Sequence, residues 1–308
     1  MWQSGAVTHD LNTLLEEIRA ELAEAGIEDP VADAELIVGH VLQESRGRVQ
    51  ALAVMGSAVT AQQADAIRDL AGERAYRVPL QHLTGKAPFR GIELAVGPGV
   101  FIPRPETESV AQFAIDALQQ VPSAEPIAVD LCTGSGAIAL SLANEVPTAR
   151  VWAVEKSVEA HAWASRNVTA LGGGRVELTL GDIADLDRRD WESTQLSRSF
   201  APLRGRVNVL VSNPPYVPAD MVPRDPEVRD HDPELALYGG ADGLDIVRII
   251  SRVARDLLVP GGLLVLEHAE LQGRMIRDLL TADGWRAAAT HQDLTGRDRT
   301  TTAIANDD

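Results

Sequence analysis

Short apolar runs alternate with helix-like stretches along the chain from Ile127 onward. The apolar runs predict strands at Ile127–Leu131, Arg150–Val154, Val176–Leu180, Val207–Val211, Leu263–Glu267, Arg286–Thr290 and Thr300–Ala305. The stretches between them predict helices at Ala137–Ala143, Val158–Leu171, Gly243–Leu258 and Gln272–Ala282. This order is typical of a doubly wound α/β domain. No helix separates the last two strands, so we expect a hairpin there, with the last strand antiparallel in an otherwise parallel seven-stranded sheet.

The residues that precede this domain predict a small helical bundle. Asp10 and Asp29 are typical helix N-caps, and Thr60 with Gln63 has the pattern of a capping box. Glycines and prolines then punctuate short apolar runs, which predicts a β-hairpin. We therefore expect a helical domain at 1–85, a hairpin linker at 86–105 and the α/β domain at 106–308. Inside the last domain, the polar stretch Asp187–Arg206 predicts a mobile surface loop.

The charge balance limits the partners of this chain. It carries 45 acidic and 28 basic residues, a formal charge of −17, which suits a basic protein partner better than a phosphate backbone. The sequence has no long apolar window and no signal-peptide pattern at its start. Cys132 is the single cysteine, which excludes an internal disulfide and a cysteine-rich metal site. We expect a cytoplasmic enzyme, a monomer that binds neither membrane nor nucleic acid directly.

The tetrapeptide Asn213-Pro214-Pro215-Tyr216 directly follows a predicted buried strand, where ligands of open α/β sheets bind. The two prolines stiffen the backbone and leave its carbonyls free, because proline has a fixed φ and no N–H. The Asn213 amide oxygen and the Pro214 carbonyl oxygen can then both accept hydrogen bonds from one –NH2 group, beside the flat ring of Tyr216. This pattern predicts a clamp for a planar amino or amide nitrogen. A proline-rich turn that caps a strand is the alternative.

A glycine-containing loop ends the first strand of the α/β domain and opens a helix. Glycines let the backbone approach a ligand closely at a helix N-terminus. The loop lacks the third glycine of the dinucleotide-binding fingerprint, since Ala139 occupies that position. This difference disfavours a dehydrogenase. The acid at the end of this strand, Asp130, would repel a pyrophosphate but attract a cation such as the sulfonium of S-adenosylmethionine. The residues predicted to bind this cofactor are Asp130, Thr133, Gly134, Ser135 and Gly136.

Acidic residues also end the next two strands. Glu155 is placed to accept hydrogen bonds from ribose hydroxyls, and Asp182 from an adenine amino group, with Ile183 packing on the ring. Taken singly, an acid at such a position is more often a solvated residue at the end of a strand than a ligand-binding residue. Three acids at successive strand ends, together with the glycine loop, predict a nucleoside-bearing ligand. Asn213 lies at the same predicted edge, and we expect it to contact this cofactor too.

These two predicted binding regions together indicate methyl transfer. Displacement at a sulfonium requires a donor and an acceptor that are held close and in line. Acceptors at Asn213 and Pro214 would hold both N–H groups of an amide, turn its lone pair toward the methyl group and stabilise the developing charge. No strong base is expected, because the methylated nitrogen is acidic. Phe101 and Arg104 precede a helix in a proline-stiffened segment and are candidates for lining the pocket.

The chain resembles the release-factor glutamine N5-methyltransferases, the PrmC/HemK family, nearly from end to end. The motifs that carry the resemblance are Pro79–Gly85, Phe101–Glu108, the glycine loop, Asn213–Tyr216 and Asp232–Leu237. The resemblance implies a Rossmann-like class I methyltransferase domain and S-adenosylmethionine as donor. It implies the glutamine of the Gly-Gly-Gln motif of class 1 peptide chain release factors as acceptor. The substrate-binding residues that it implies, with those predicted above, are Asn213, Pro214, Pro215, Tyr216, Phe101 and Arg104, the first two as catalytic residues.

The chain departs from the family pattern in two places. Cys132 stands where the family usually has glycine, and Asp187–Arg206 is longer than usual. His82 and His268 are expected to be structural, since neither has a second ligand at metal-binding spacing, so no metal is expected.

Three functions compete with methylation of a protein glutamine. An adenine-N6 methyltransferase on DNA or RNA would use the same clamp, but the acidic charge disfavours it. A non-catalytic nucleoside-binding scaffold would keep the nucleoside pocket without the chemistry, and the intact motif at Asn213 disfavours it. A dehydrogenase is disfavoured by the missing third glycine.

Overall fold

Short polar side chains begin the helices of the N-terminal region. The computed structural model describes residues 8–188, 191 and 193–306. Asp10 accepts a hydrogen bond from the Thr13 amide at 2.8 Å, and Thr60 and Gln63 form the predicted capping box. The elements of this region are β1 (Thr8–Asp10), α1 (Leu11–Glu24), α2 (Pro30–Leu42), α3 (Arg46–Val54), β2 (Ala58–Thr60), α4 (Ala61–Ala75) and α5 (Leu80–Thr84). The predicted helix starts are confirmed, whereas the antiparallel pairing of β1 with β2 was not predicted.

A hairpin and a long helix follow the bundle. The strands β3 (Lys86–Phe89) and β4 (Ile92–Ala95) form a two-stranded sheet, and α6 runs over Pro105–Gln120. Proline at the first helical position of α6 has the fixed φ that a helix start requires. Thr107, Val110, Ala111, Ala114, Ile115 and Leu118 form the buried stripe of α6.

The α/β region has the alternating order that the sequence predicts. The elements from Ile127 onward are β5 (Ile127–Leu131), α7 (Ala137–Glu145), β6 (Arg150–Glu155), α8 (Val158–Leu171), β7 (Val176–Leu180), α9 (Gln195–Phe200), β8 (Val207–Ser212), α10 (Pro226–His231), α11 (Glu234–Leu237), α12 (Asp245–Leu257), β9 (Leu258–Glu267), α13 (Gly273–Ala282), β10 (Arg286–Gln292) and β11 (Asp298–Ile304). The helix α6 packs against β8 and β9, and it places Thr107 within reach of Asn213, the residue that follows β8.

Within the described residues, one sheet of seven strands has the order β10-β11-β9-β8-β5-β6-β7. The strands from β9 to β7 pair in parallel, and β11 pairs antiparallel with both β9 and β10. This confirms the predicted antiparallel last strand, which lies inside the sheet rather than at its edge. The chain order reverses at β5, since β6 lies on one side of β5 and β8 on the other. The crevice beyond the carboxyl ends of such strands is the expected ligand position.

Helices cover both faces of this sheet, and successive strand residues alternate between two cores. In β5, Ala128 belongs to the core that α6, α7 and α8 build, whereas Val129 and Leu131 belong to the core that α12 and α13 build. A third core lies inside the helical bundle, where Leu11, Leu14, Leu15, Ile18 and Leu22 of α1 are buried. Because both faces of the sheet are packed against helices, the ends of its strands are held in place, and so are the starts of the loops that follow them.

The stretch predicted as a surface loop, Asp187–Arg206, instead contributes to the core where the structure describes it. It contains α9 and a short 3₁₀ turn at Ala201–Leu203. Its side chains Trp191, Leu196, Phe200 and Leu203 are buried among the residues of the α12–α13 face. The prediction of an exposed loop was therefore wrong, because four apolar side chains spaced along a polar stretch carry it into the interior. Residues 189, 190 and 192 lie outside the described part.

The described chain forms two compact units. One comprises the residues up to Lys86 together with Pro223–His231, and the other comprises Ala87–Val222 and the residues from Asp232 onward. In the first unit, the Arg74 guanidinium contacts Asp33 at 2.7 Å and Glu227 at 2.8 Å, so the segment that contains α10 is tied to the helical bundle. None of the helices in the described parts has the length and apolar character needed to cross a membrane.

Candidate active site

The glycine loop and the Asn213–Tyr216 turn leave the sheet side by side. The loop follows Leu131 of β5, and the turn follows Ser212 of the adjacent parallel strand β8. The Ser212 hydroxyl donates to the Leu131 carbonyl oxygen at 2.6 Å, and both residues are buried. The structure thus brings together two motifs that lie about eighty residues apart in sequence, at the point where the strand order reverses.

The glycine loop has a tightly curled backbone. Cys132, Gly134 and Gly136 all have positive φ, of 61°, 58° and 87°. The Thr133 amide donates to the Val154 carbonyl oxygen at 3.0 Å, which anchors the loop to β6. Cys132 adopts the left-handed conformation that favours glycine, the residue expected at this position from the resemblance described above. The cysteine is accommodated, and its side chain packs against the core of the α12–α13 face.

Asn167 supports the glycine loop from α8. Its side-chain amide donates to the Ser135 carbonyl oxygen at 2.9 Å and to the Ala95 carbonyl oxygen at 3.0 Å. Both Asn167 and Ser135 are buried. The predicted cofactor residues Thr133, Gly134, Ser135 and Gly136 therefore occupy one rigid loop that leads into α7.

Asp130 is fully buried beneath this loop. Its Oδ2 atom accepts hydrogen bonds from the Thr133 hydroxyl at 2.5 Å and from the Ala139 amide at 3.1 Å. Its Oδ1 atom is buried and finds no hydrogen-bond partner among the described residues. Burial raises the pKa of this carboxyl to about 7. A cationic group near Oδ1 would favour the ionised form, so the chemistry of the site fits a positively charged ligand.

Glu155 connects the end of β6 to the glycine loop. Its two carboxylate oxygens accept hydrogen bonds from the Gly134 amide at 2.8 Å and from the Ser157 amide at 2.7 Å. Burial raises its pKa, while the backbone donors oppose that rise. Each carboxylate oxygen can accept more than one hydrogen bond, so Glu155 keeps acceptor capacity for a ribose hydroxyl.

Asp182 and Ile183 follow β7. Asp182 pairs with the Lys156 ammonium at 2.8 Å, and its other oxygen accepts from the Ala184 amide at 2.9 Å. Burial alone would raise the pKa of Asp182, but Lys156 and the Ala184 amide outweigh it and lower the pKa. Ile183 is 5% exposed and packs with the residues of the α12–α13 face, so it presents only a small apolar surface.

The Asn213–Tyr216 turn is held from the side of α6. The Asn213 side-chain amide donates to the Thr107 hydroxyl at 3.4 Å. This orientation commits the Nδ2 end of Asn213 to the protein and leaves its Oδ1 atom as the acceptor. The Tyr216 hydroxyl donates to Glu267 at 3.3 Å, and burial raises the pKa of Tyr216. Pro214 is buried and Pro215 is half-buried, so the turn is packed on both sides of its prolines.

The segment 237–243 supports the turn from its other side. The Val217 amide donates to the Leu237 carbonyl oxygen at 2.8 Å. A Cβ on Gly239 would overlap the Pro215 carbonyl oxygen, which shows how closely the two backbones approach. Gln272 adds a hydrogen bond from its side-chain amide to the Tyr216 carbonyl oxygen at 2.9 Å. The glycines of this segment, which in sequence look like a turn before a helix, are therefore also the surface against which Pro215 and Tyr216 lie.

Phe101 and Arg104 contact each other in the segment before α6. The Arg104 guanidinium lies 5.1 Å from the centroid of the Phe101 ring, a cation–π geometry. Arg104 also forms an ion pair with the buried carboxylate of Asp232 at 2.7 Å. Arg104, predicted to bind substrate, is therefore already engaged by the chain's own Asp232, and the pair fixes the guanidinium beside Phe101.

Sequence reasoning missed Thr107, Gln272 and Glu267. Glu267 ends β9, and an acid at the end of a predicted strand is the same signal that identified Asp130 and Glu155. His268 is structural as expected, since its ring nitrogens bind the Ala269 carbonyl oxygen and the Thr301 hydroxyl, each at 2.8 Å. Across residues 8–188, 191 and 193–306, His, Cys, Asp and Glu side chains form no cluster suited to a metal ion.

Comparison with known proteins identifies the family. The family model for the PrmC N-terminal domain matches residues 13–85. A release factor glutamine methyltransferase from Streptomyces coelicolor is 45% identical over 301 residues, which cover 95% of this chain and 98% of that protein. One from Bifidobacterium longum is 44% identical over 301 residues, covering 96% and 99%.

Among solved structures, the release factor-specific protein-(glutamine-N5) methyltransferase from Alicyclobacillus acidocaldarius is 27% identical, with a TM-score of 0.39 over 68% of this chain and 98% of that chain. The full-length sequence relationships, not this structural likeness, decide the assignment. The chain belongs to the release factor glutamine methyltransferase family.

Proposed function

We propose that this chain transfers the methyl group of S-adenosylmethionine to the side-chain amide nitrogen (N5) of the glutamine in the Gly-Gly-Gln motif of class 1 peptide chain release factors. The observation that carries the proposal is the pairing of two motifs on adjacent strands. A glycine loop with a buried acid and a turn that offers two hydrogen-bond acceptors leave β5 and β8 together, tied by the hydrogen bond from Ser212 to Leu131. Relatives at 44–45% identity over nearly the whole chain carry the name of this activity.

The residues around the glycine loop fit a cationic nucleoside donor. The unpartnered Oδ1 atom of Asp130 is the anionic partner that a cation requires. A Cβ on Gly134 would meet open space, so the loop leaves room for a ligand against its backbone. The donor would be held by Asp130, Thr133, Gly134, Ser135, Gly136, Glu155, Asp182, Ile183 and Asn213. When bound, S-adenosylmethionine supplies the methyl group and leaves as the thioether.

The Asn213–Tyr216 turn would hold the acceptor amide. An amide nitrogen is a weak nucleophile because its lone pair is delocalised into the carbonyl. The Asn213 Oδ1 atom and the Pro214 carbonyl oxygen would accept its two N–H groups and direct the lone pair at the methyl carbon. As the new C–N bond forms, the nitrogen becomes positive, and these two fixed acceptors stabilise that charge. One proton then leaves the nitrogen for solvent, which restores a neutral amide.

The aromatic residues Tyr216 and Phe101 would flank the planar carboxamide, with Pro215 stiffening the turn between them and the acceptors. Because the methylated nitrogen is acidic, this mechanism assigns no general base. It assigns Arg104 the task of holding Phe101 through the cation–π contact and the ion pair with Asp232.

The partner in this proposal is a protein. Residues 1–85, the helical domain, would help to dock the release factor, and a basic surface on that partner would complement the charge of −17. We propose a cytoplasmic monomer that makes no direct contact with nucleic acid.

The proposal is tested with the purified chain and isotopically labelled S-adenosylmethionine. Parallel reactions receive a class 1 release factor, the same factor with the motif glutamine replaced by asparagine, duplex DNA or total RNA. We expect one labelled methyl group on the motif glutamine, located by tandem mass spectrometry, and none in the other reactions. Label on adenine, or an unlabelled release factor, would overturn the proposal.

A further inference from the structure

Glu267 lies beside the Asn213–Tyr216 turn, although the proposed methyl transfer gives it no task. Ser212 pairs with Leu266 in the register between β8 and β9, so the next residues, Asn213 and Glu267, leave the two strands at the same level. The Glu267 side chain is 1% exposed. A buried carboxyl at the carboxyl edge of the sheet is costly unless its neighbours compensate for lost hydration, so those neighbours indicate its role.

Glu267 lies beside two hydroxyl groups, that of Tyr216 in the turn and that of Thr107, which contacts Asn213. Its Oε1 atom accepts from the Tyr216 hydroxyl at 3.3 Å. The Thr107 hydroxyl lies close enough to this carboxyl to lower its pKa, and it accepts a hydrogen bond from the Asn213 amide at 3.4 Å. The Oε2 atom is buried and has no hydrogen-bond partner in the ranges that the structure describes. One carboxyl therefore binds the aromatic residue of the turn directly and lies beside the hydroxyl that contacts its amide residue.

We propose that Glu267 is a positioning residue for methyl transfer: through the hydroxyl groups of Thr107 and Tyr216 it fixes Asn213 and Tyr216 in the orientation that receives the target carboxamide. This inference rests on the proposed function and adds a residue to it.

The proposal depends on the direction of the hydrogen bonds. An ionised carboxylate only accepts, so both hydroxyls must donate to Glu267. The Thr107 oxygen then turns its lone pairs outward and accepts from the Nδ2 end of Asn213, which leaves Asn213 Oδ1 for the substrate. A protonated Glu267 can donate to Thr107 instead, which removes the reason for Asn213 to keep this orientation. The ionised form of Glu267 is therefore the form that supports the clamp.

The groups around Glu267 make its protonation sensitive to pH near neutrality. Burial and the charge of Glu106 on α6 favour the neutral form, whereas the hydroxyls of Thr107 and Tyr216 and the charge of Arg299 on β11 favour the ionised form. Arg299 is shared with Asp293, 3.7 Å away, which weakens its effect on Glu267. The resulting pKa is about 7, raised first by burial. Since the ionised form is the competent one, kcat should rise as pH increases through this value.

The test measures methylation of a release factor between pH 6 and 9 at saturating donor, so that donor binding does not set the rate. The variants are Glu267→Gln, Tyr216→Phe, their double mutant and Glu270→Gln, an exposed control three residues from Glu267. We expect Glu267→Gln to lower kcat roughly tenfold at pH 8, because that loss corresponds to about one hydrogen bond in the transition state. We also expect it to remove the rise of kcat with pH. The KM of Glu267→Gln for the donor should equal that of the wild type. The control Glu270→Gln should match the wild type in both kcat and KM.

Tyr216→Phe keeps the ring and removes the hydroxyl. We expect it to lower kcat, and we expect the double mutant to lose no more than Glu267→Gln, because both changes act on one network. A wild-type kcat and pH profile in Glu267→Gln, or additive losses in the double mutant, would overturn the proposal. If Glu267→Gln does not fold, a wild-type kcat in Tyr216→Phe would overturn it alone. A wild-type chain that methylates no release factor would refute the proposed function instead, so the two failures are distinguishable.

Discussion

Gly243 lies so close to the Tyr216 carbonyl oxygen that a Cβ at position 243 would overlap that oxygen. The same carbonyl accepts a hydrogen bond from the Gln272 side chain at 2.9 Å. The backbone of the predicted acceptor site is thus held by main-chain packing on one side and by a buried amide on another. Its shape depends on residues that are remote from it in sequence and have no assigned contact with a ligand.

Gly243→Ala should displace the Asn213–Tyr216 turn, because the new methyl group cannot coexist with the Tyr216 carbonyl oxygen. We expect methyl transfer to fall at least tenfold with donor affinity retained, and a stability loss of roughly 1–3 kcal/mol. Gly261→Ala is a matched control: φ is +76° at both positions, but a Cβ on Gly261 meets open space. Equal losses of activity in the two variants would show that backbone strain alone, not the contact with Tyr216, is responsible.

Asn213→Ala removes the acceptor that the mechanism aims at the target amide. Loss of one preorganised acceptor in a transition state typically lowers kcat by about 10²–10³, so we expect a loss of that order. Donor affinity, measured by calorimetry, should fall much less than kcat, because Asn213 is one of nine residues assigned to the donor site and the other eight remain. Asn144→Ala, at an exposed position on α7, serves as the control. Wild-type turnover in Asn213→Ala would refute the assigned role.

Glu155→Gln should weaken donor binding. The carboxylate accepts from two backbone amides with its two oxygens, whereas a glutamine offers only one oxygen and turns an N–H group toward the other donor. We expect the donor Kd to rise roughly tenfold or more. Glu177→Gln, an exposed position on β7, should leave the Kd unchanged. An unaltered Kd in Glu155→Gln would contradict the assignment of Glu155 to the donor site.

Asp130 should give the protein a defined pH dependence of stability. Its pKa is about 7 in the folded protein and 3.8 in its ordinary state, so between these values the folded state binds a proton that the unfolded state does not. The stability that this group contributes is therefore fully present below pH 3.8 and is lost as pH rises through 7. Asp130→Asn cannot show this loss.

The measurement is urea unfolding of wild type and Asp130→Asn at pH 5 and pH 8. We expect the difference in unfolding free energy to shift in favour of Asp130→Asn as pH rises, by up to about 1.4 kcal/mol per unit. Glu267, whose pKa is also about 7, is present in both proteins, so its contribution cancels from the difference between their unfolding free energies. A difference that does not vary with pH would show that Asp130 titrates alike in both states.

Cys132 should react slowly in the folded protein. Burial raises the pKa of its thiol, so the reactive thiolate is scarce at pH 8. We expect alkylation by iodoacetamide to be at least about tenfold slower in the native protein than in urea. Because Cys132 is the only cysteine, the mass of the intact chain reports this reaction without a control for other thiols. Equal rates would mean that the loop exposes the thiol.

Local signals in the sequence predicted the elements well. The caps at Asp10 and Thr60 act within three residues, and the strand–helix alternation after Ile127 has a short period, so each can be recognised in a single window. The pairing of Thr8 with Thr60 is different, since it joins segments about fifty residues apart and neither segment has a strong strand pattern. Such a long-range pairing forms because the packed helices of the bundle bring the two segments together, so a short window of sequence does not reveal it.

The residues of the candidate site were visible in the sequence only in part, for a related reason. The residues at strand ends, Asp130, Glu155 and Asn213, were visible because each follows an apolar run. Phe200 was misassigned to a surface loop, because isolated apolar residues in a polar stretch give no periodicity. Thr107 sits in the first turn of α6 and looks like a helix-start residue, and only the packing of α6 against β8 and β9 reveals its contact with Asn213.

The segment Pro223–His231 has a consequence for dissecting this protein. The chain leaves one unit at Lys86, returns to it at Pro223 and departs again after His231, so three peptide connections join the two units. A protease cut near residue 86 would break the one peptide connection between residues 1–86 and the rest of the chain, and the cut bundle would then be held by its noncovalent contacts with Pro223–His231, among them the ion pairs of Glu227 with Arg74 and Arg77. Deleting the first 86 residues would strand Glu227 without Arg74 and Arg77. The bundle is thus not a detachable module, and shortened versions of this protein should keep both parts.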